Sequence, residues 1–149
     1  MTQELLKELF QRDLEKLTSE IEAYKNEDDL WKIAPGISNS AGNLALHLIG
    51  NLKHFLGAVL GKNGYVRNRD GEFNDKGIPK QQLISDLKET QAIVSGVINH
   101  LSNDDLEATY PVEVFGKPMK TGYFLIHLYG HLNYHLGQVN YHRRLLSNL

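Results

Sequence analysis

Seven histidines are the residues of this chain best suited to chemistry: His47, His54, His100, His127, His131, His135 and His142. His127, His131 and His135 are spaced four apart, and His142 follows seven later. On a helix, residues four apart sit on successive turns of one face. At roughly 100° per residue, the four span an arc of about 80°. Gln138 lies close to that arc, and Leu125, Leu128, Leu132, Leu136, Val139 and Leu146 fill the adjacent one. The histidines are therefore expected to point inward. Two imidazoles on successive turns form a bidentate grip for a divalent metal, and His47 is placed to be a third ligand from another helix. His127 with His131, and His131 with His135, are both suitable pairs. A polar core network would use the same spacing. In that case each ring nitrogen needs its own partner, and the arc offers almost no carboxylates.

Three neutral imidazoles leave a divalent cation with its full charge and with open positions, the pattern of a catalytic site and not of a closed structural one. Nitrogen donors suit zinc or nickel, and also copper or iron. An open cation lowers the pKa of bound water or thiol toward neutrality. One chemistry is hydrolysis of a small molecule by metal hydroxide. The run HLNYH lacks the Glu of the HExxH peptidase pattern. A base would then come from the polar segment 62–78, where Asp70, Glu72 and Asp75 are candidates. Arg67 and Arg69 in that segment, with Gln138 and His127, are candidate substrate contacts, and Arg is suited to anions. The segment reads equally well as a solvated connection. A non-enzymatic metal or haem carrier is a further alternative, since bundles hold haem between paired histidines. Covalent haem attachment is excluded by the absence of cysteine, as are a thiolate nucleophile and disulfides.

Four helical patterns must position these side chains. The first runs from about Gln3 to Asn26, with Leu6, Phe10, Leu14, Leu17, Ile21 and Tyr24 as one apolar stripe. The second runs from about Ser40, an N-cap candidate, to Gly61, with Leu44, Leu48, Leu52, Phe55 and Val59 facing the core. The third opens at Pro79, expected at the first helical position, and carries Leu83, Leu87, Val94, Val97 and Leu101. The fourth runs from about Thr121, an expected N-cap, to Ser147. Segments 62–78 and 102–119 are long connections, the second containing a candidate extended piece around Tyr110–Phe115. Trp31 is expected to pack over a bundle end. The fold class is all-α, an up-down four-helix bundle in a single domain over residues 1–149. Gly130 and Gly137 lie seven apart on the face opposite the leucines. They suit a close helix contact, either inside the bundle or at a subunit interface.

The run HLYGHLNYHLGQVNYHRRLL, residues 127–146, resembles the C-terminal signature of the DinB/YfiT-like superfamily of metal-dependent enzymes. Members carry spaced histidines, then Gly-Gln, an aromatic and a basic residue; here these are His127, His131, His135, Gly137, Gln138, Tyr141 and Arg143. The run ISNSAGNLALHLIGNLKHFLG similarly resembles the superfamily's second helix, with its ligand histidine at His47. The resemblance covers essentially the whole chain, and Leu136 departs from it where many members have a basic residue. It implies a four-helix bundle, often a homodimer, with a metal triad of His47, His131 and His135 and His127 beside it. It also implies a transferase that uses a low-molecular-weight thiol as cofactor, activated at the metal.

The whole-chain composition narrows the partners. A net charge of -2, with basic residues scattered, argues against nucleic acid, which demands a basic stripe. From Thr121 to His142 there is no Lys, Arg, Asp or Glu, yet the four histidines with Asn and Gln inside it speak for a buried helix and not a membrane span. A small-molecule substrate and a cytoplasmic location are the expectations.

Overall fold

The structure, a computed structural model, describes residues 3–147. Six α-helices are present among the described residues: α1 (Gln3–Glu22), α2 (Ala41–Leu52), α3 (Arg69–Asn74), α4 (Lys80–Asn99), α5 (Asn103–Glu107) and α6 (Thr121–Leu146). The four long ones, α1, α2, α4 and α6, make the bundle. No strand occurs among the described residues, only an isolated antiparallel bridge between Thr109 and Lys120.

The stripe of α1 forms the spine of the core. Leu6, Phe10, Leu14, Leu17, Ile21 and Tyr24 are all essentially inaccessible to solvent. The helix stops at Glu22, short of the expected Asn26. Asn26 instead caps a 3-10 turn, Glu27–Trp31, its side chain accepting from the Asp28 N–H. Trp31 then packs over the start of α2, where a Cβ on Gly42 would sit 2.7 Å from the indole.

Helix α2 starts at the expected cap, Ser40 accepting from the Asn43 N–H at 3.2 Å. After Leu52 the chain continues as a π-helix, Lys53–Leu60. The wider turn changes which carbonyls are free. Phe55 O accepts the hydroxyl of buried Tyr110 at 2.7 Å, tying the second long connection to the π-helix.

Both long connections are built and not bare. Asn68 caps α3 by accepting from the Gly71 N–H. Ser102 and Asp105 form a reciprocal capping box on α5. Pro79 occupies the cap position before α4 instead of its first turn. Thr121 is the first residue of α6 and not its cap; its N–H and hydroxyl both donate to Ala108 O.

The order around the bundle decides what the site contains. Helix α1 packs on α4 and α6, and α2 packs on the same two, so α1 and α2 are diagonal. Helices α2 and α6 are therefore neighbours, which brings the two histidine-bearing faces together.

Candidate metal centre

His47 lies on α2 one turn after Asn43, and His131 and His135 lie one turn apart on α6. Their side chains meet. His131 Nε2 is 3.1 Å from His47 Nε2 and 3.1 Å from His135 Nε2. One ligand atom from each residue lies within 4.8 Å of the others. The three rings stand nearly perpendicular in pairs, at 79°, 86° and 88°, like faces meeting at a corner.

The outer nitrogens fix which atom faces that corner. His47 Nδ1 donates to Glu72 Oε1 at 3.0 Å. His135 Nδ1 donates to Gln138 Oε1 at 2.7 Å. Each of these rings therefore carries its proton on Nδ1 and turns an Nε2 lone pair inward. Burial, with His135 and His47 close by, pushes the His131 imidazole down to about 4. Burial also lowers His135, against the bond it donates to Gln138. His131 and His135 are thus uncharged at neutral pH. His131 Nδ1 is buried without a partner, and a single proton on its Nε2 can serve only one of the two facing lone pairs, whereas a cation serves all three nitrogens. Ligand nitrogens about 2.0–2.1 Å from one ion stand roughly 2.8–3.4 Å apart for right-angled to tetrahedral arrangements. The two 3.1 Å separations from His131 fit, with all three ligand atoms within 4.8 Å, so the residues present suit a divalent ion.

A carboxylate and a guanidinium stand behind His47. Glu72, on α3, is buried and uses both oxygens: Oε1 meets His47 and Arg67 Nη2, and Oε2 meets Arg67 Nε at 2.8 Å. Burial would raise its pKa, but the bonds from His47 and Arg67 outweigh that and hold the carboxyl below its usual range. Gly50 makes room for it, since a Cβ there would stand 1.9 Å from Glu72 Oε2. Asn43 fastens α3 to α2, its Nδ2 donating to the carbonyls of Glu72 and Asp75 at 2.9 Å each. Phe73 lays its ring 4.9 Å from that of His47.

The other candidates fall into place around this core. Arg67 is engaged with Glu72 and also lies over the Phe55 ring. Arg69, Asp70 and Asp75 are exposed, Arg69 stacking on Phe73. Glu72, a candidate base by its position in a polar segment, is committed on both oxygens. Nothing in a sequence pattern gives its pairing with His47, although the Asn68 cap signals the short helix that carries it. His127 departs from the inward expectation: it is exposed and packs on the rings of Phe115 and Phe124. It sits at the outer end of the 80° arc, past the rim of the core. His142 is partly buried, with Nδ1 unpartnered. A cleft of about 350 Å³ opens beside His135, lined by Ser38, Asn39, Tyr134, Gln138 and His142. A Cβ added at Gly130 or Gly137 would meet nothing within 4 Å, so no close contact inside the bundle requires either glycine.

A family model described as a protein of unknown function, DUF1572, matches residues 3–148. No curated protein matches the sequence. Among solved structures, a DinB-like protein from Bacillus cereus ATCC 10987 is similar with a TM-score of 0.70 at 20% identity, over 89% of this chain and 84% of that one. The likeness shows that the chain has the DinB-like all-α fold. No helix among the described residues is long and apolar enough to cross a membrane.

Proposed function

The chain belongs to the DUF1572 family, whose description carries no activity, and we propose from its site that it is a divalent-metal enzyme that transfers a low-molecular-weight thiol to a small electrophile. One observation carries the reading: two imidazoles tied through Nδ1, and a third held uncharged by burial, aim their Nε2 atoms at one point. His47, His131 and His135 would hold the ion, zinc or nickel by donor type. When bound, it supplies a Lewis acid that keeps a thiol or water deprotonated near neutral pH.

The chain's own residues then bind and orient. Glu72 holds the His47 ring in register, and Gln138 does the same for His135. The cleft beside His135 presents neutral polar groups from Ser38, Asn39 and Gln138 to a small molecule. The thiolate sulfur forms a bond to the electrophilic carbon, and the leaving group departs with its electron pair. This needs no protein base, which suits a site whose nearest carboxylate is already paired on both oxygens. A cytoplasmic setting, where small thiols are kept reduced, fits that chemistry.

Hydrolysis by metal-bound water is the second reading, favoured by one observation: His142, whose unpartnered Nδ1 belongs to a side chain lining the same cleft, is a candidate base. Metal-loaded protein assayed on alkyl and aryl electrophiles and on esters and lactones, with and without added thiol, separates the two. Thiol-dependent consumption of the electrophile is expected. Ester turnover that ignores thiol would replace the transferase reading with hydrolysis.

A further inference from the structure

The third ligand histidine lacks what the other two have. His47 and His135 each give an Nδ1 proton to a side-chain oxygen, on Glu72 and Gln138. His131 Nδ1 is buried and meets no partner. A neutral imidazole carries one proton. To hold an ion at Nε2, His131 must carry that proton on Nδ1. Inside the bundle a proton there needs an acceptor.

One buried acceptor on the same seam is unused. Asn51 is 7% exposed, and its Oδ1 has no hydrogen-bond partner. It stands one turn beyond His47 on α2. At roughly 100° per residue it points about 40° from His47 and about 20° from the core residue Leu44. Asn43 and Gly50, which face α3, lie about 80–100° to the other side. Asn51 is therefore turned toward α6.

The register of the two helices puts it beside His131. They run antiparallel: His47 meets His131, and Phe55, a turn beyond Asn51, meets Phe124, with ring centroids 4.9 Å and 5.1 Å apart. Asn51 is midway along that stretch, level with Leu128, one turn before His131. A helical side chain leans toward the N-terminus of its helix, so the His131 ring leans toward that level. Buried Leu128 has no polar group to offer it.

We propose that Asn51 is the positioning residue for His131, its carboxamide oxygen accepting the Nδ1 proton when the ring holds an ion. This rests on the metal reading of the site. The ring stays neutral in the change: one proton leaves Nε2 for solvent and another is taken up at Nδ1. An amide serves both states. Its NH2 can face a bare Nδ1 and its oxygen a protonated one, by a half-turn of the terminal torsion. A carboxylate serves only the protonated Nδ1, and a hydrocarbon serves neither.

Two variants and one spectrum test this. Asn51→Leu keeps the volume and removes both polar groups. Its zinc affinity, read by competition with a chromophoric chelator, should fall about 10–100-fold, with circular dichroism and melting of the metal-free protein unchanged. Asn51→Asp keeps the acceptor and should bind zinc at least as tightly as the wild type, an opposite response that a merely structural role would not give. In the zinc-loaded wild type, long-range ¹⁵N–¹H spectra should show His131 protonated on Nδ1, that proton exchanging slowly and in Overhauser contact with the Asn51 side chain. Absence of that contact would overturn the proposal even if Asn51→Leu failed to fold. So would wild-type zinc affinity in folded Asn51→Leu. A wild type that retains no zinc would instead fail the metal reading itself, and this proposal with it.

Discussion

Replacing Glu72 by Gln tests how much the carboxylate behind His47 contributes. The amide keeps the shape and one acceptor for His47 Nδ1, but it removes the charge that faces Arg67. Glu72 is 5% exposed and the Arg67 side chain 13%, so little water is available to take over. Breaking one side of a fully buried ion pair costs about 3–5 kcal/mol. Arg67 keeps some solvent and Gln138-type neutral acceptance survives at His47, so about 2 kcal/mol is expected, read by urea unfolding of metal-free protein. On the metal side, removing a partner that orients a ligand histidine weakens binding about 10–100-fold. Competition against a chromophoric chelator should show that loss as a higher apparent Kd. Wild-type affinity in Glu72→Gln would refute the claim that this carboxylate sets the His47 ring for binding, whatever happens to stability.

Gly50→Ala should act on the same bond from the other side. Helix α2 gains about 1 kcal/mol of intrinsic propensity, but the new Cβ forces Glu72 to release His47, so metal affinity falls while helical content holds. A more stable variant with unchanged affinity would show that Glu72 moves aside freely. Asp13 governs behaviour in acid. Burial would raise its pKa, yet bonds from Arg12, Tyr129 and Asn133 hold it at about 2, below its ordinary 3.8. The folded-state pKa is depressed, so the contribution is complete above about pH 4 and is lost as pH falls toward 2. It amounts to roughly 2 kcal/mol. Asp13→Asn should flatten the stability profile across that window, and an unchanged slope would contradict the assignment. His142→Ala should leave thiol transfer intact and abolish any ester hydrolysis; equal loss of both would assign His142 to binding instead.

The parts of this molecule that repeat along the chain were legible in the sequence. The α1 stripe is buried at every expected position, because a 3.6-residue period maps directly onto one face. His131 and His135 share a face for the same reason. Features set by tertiary contact were not legible. Periodicity does not say that α1 and α2 stand diagonally, and that placement is what sets His47 against α6. His127 obeys the same four-residue spacing as its neighbours, yet it lies exposed at the outer edge of their arc, against Phe115 from a connection with no period. Glu72 is separated from His47 by 25 residues and joined to it by a six-residue helix, too short to leave a pattern. The π-helical turn after Leu52 has no composition of its own; Lys53–Leu60 reads as ordinary helix.

Metal content per chain in untagged protein, after loading with zinc or nickel and removal of free ion, tests the histidine triad most directly. Elemental analysis should find about one ion per chain in the wild type and in His127→Ala, and almost none in His131→Ala. Full occupancy in His131→Ala, or no retained ion in the wild type, would contradict the assignment of His47, His131 and His135 as the ligands.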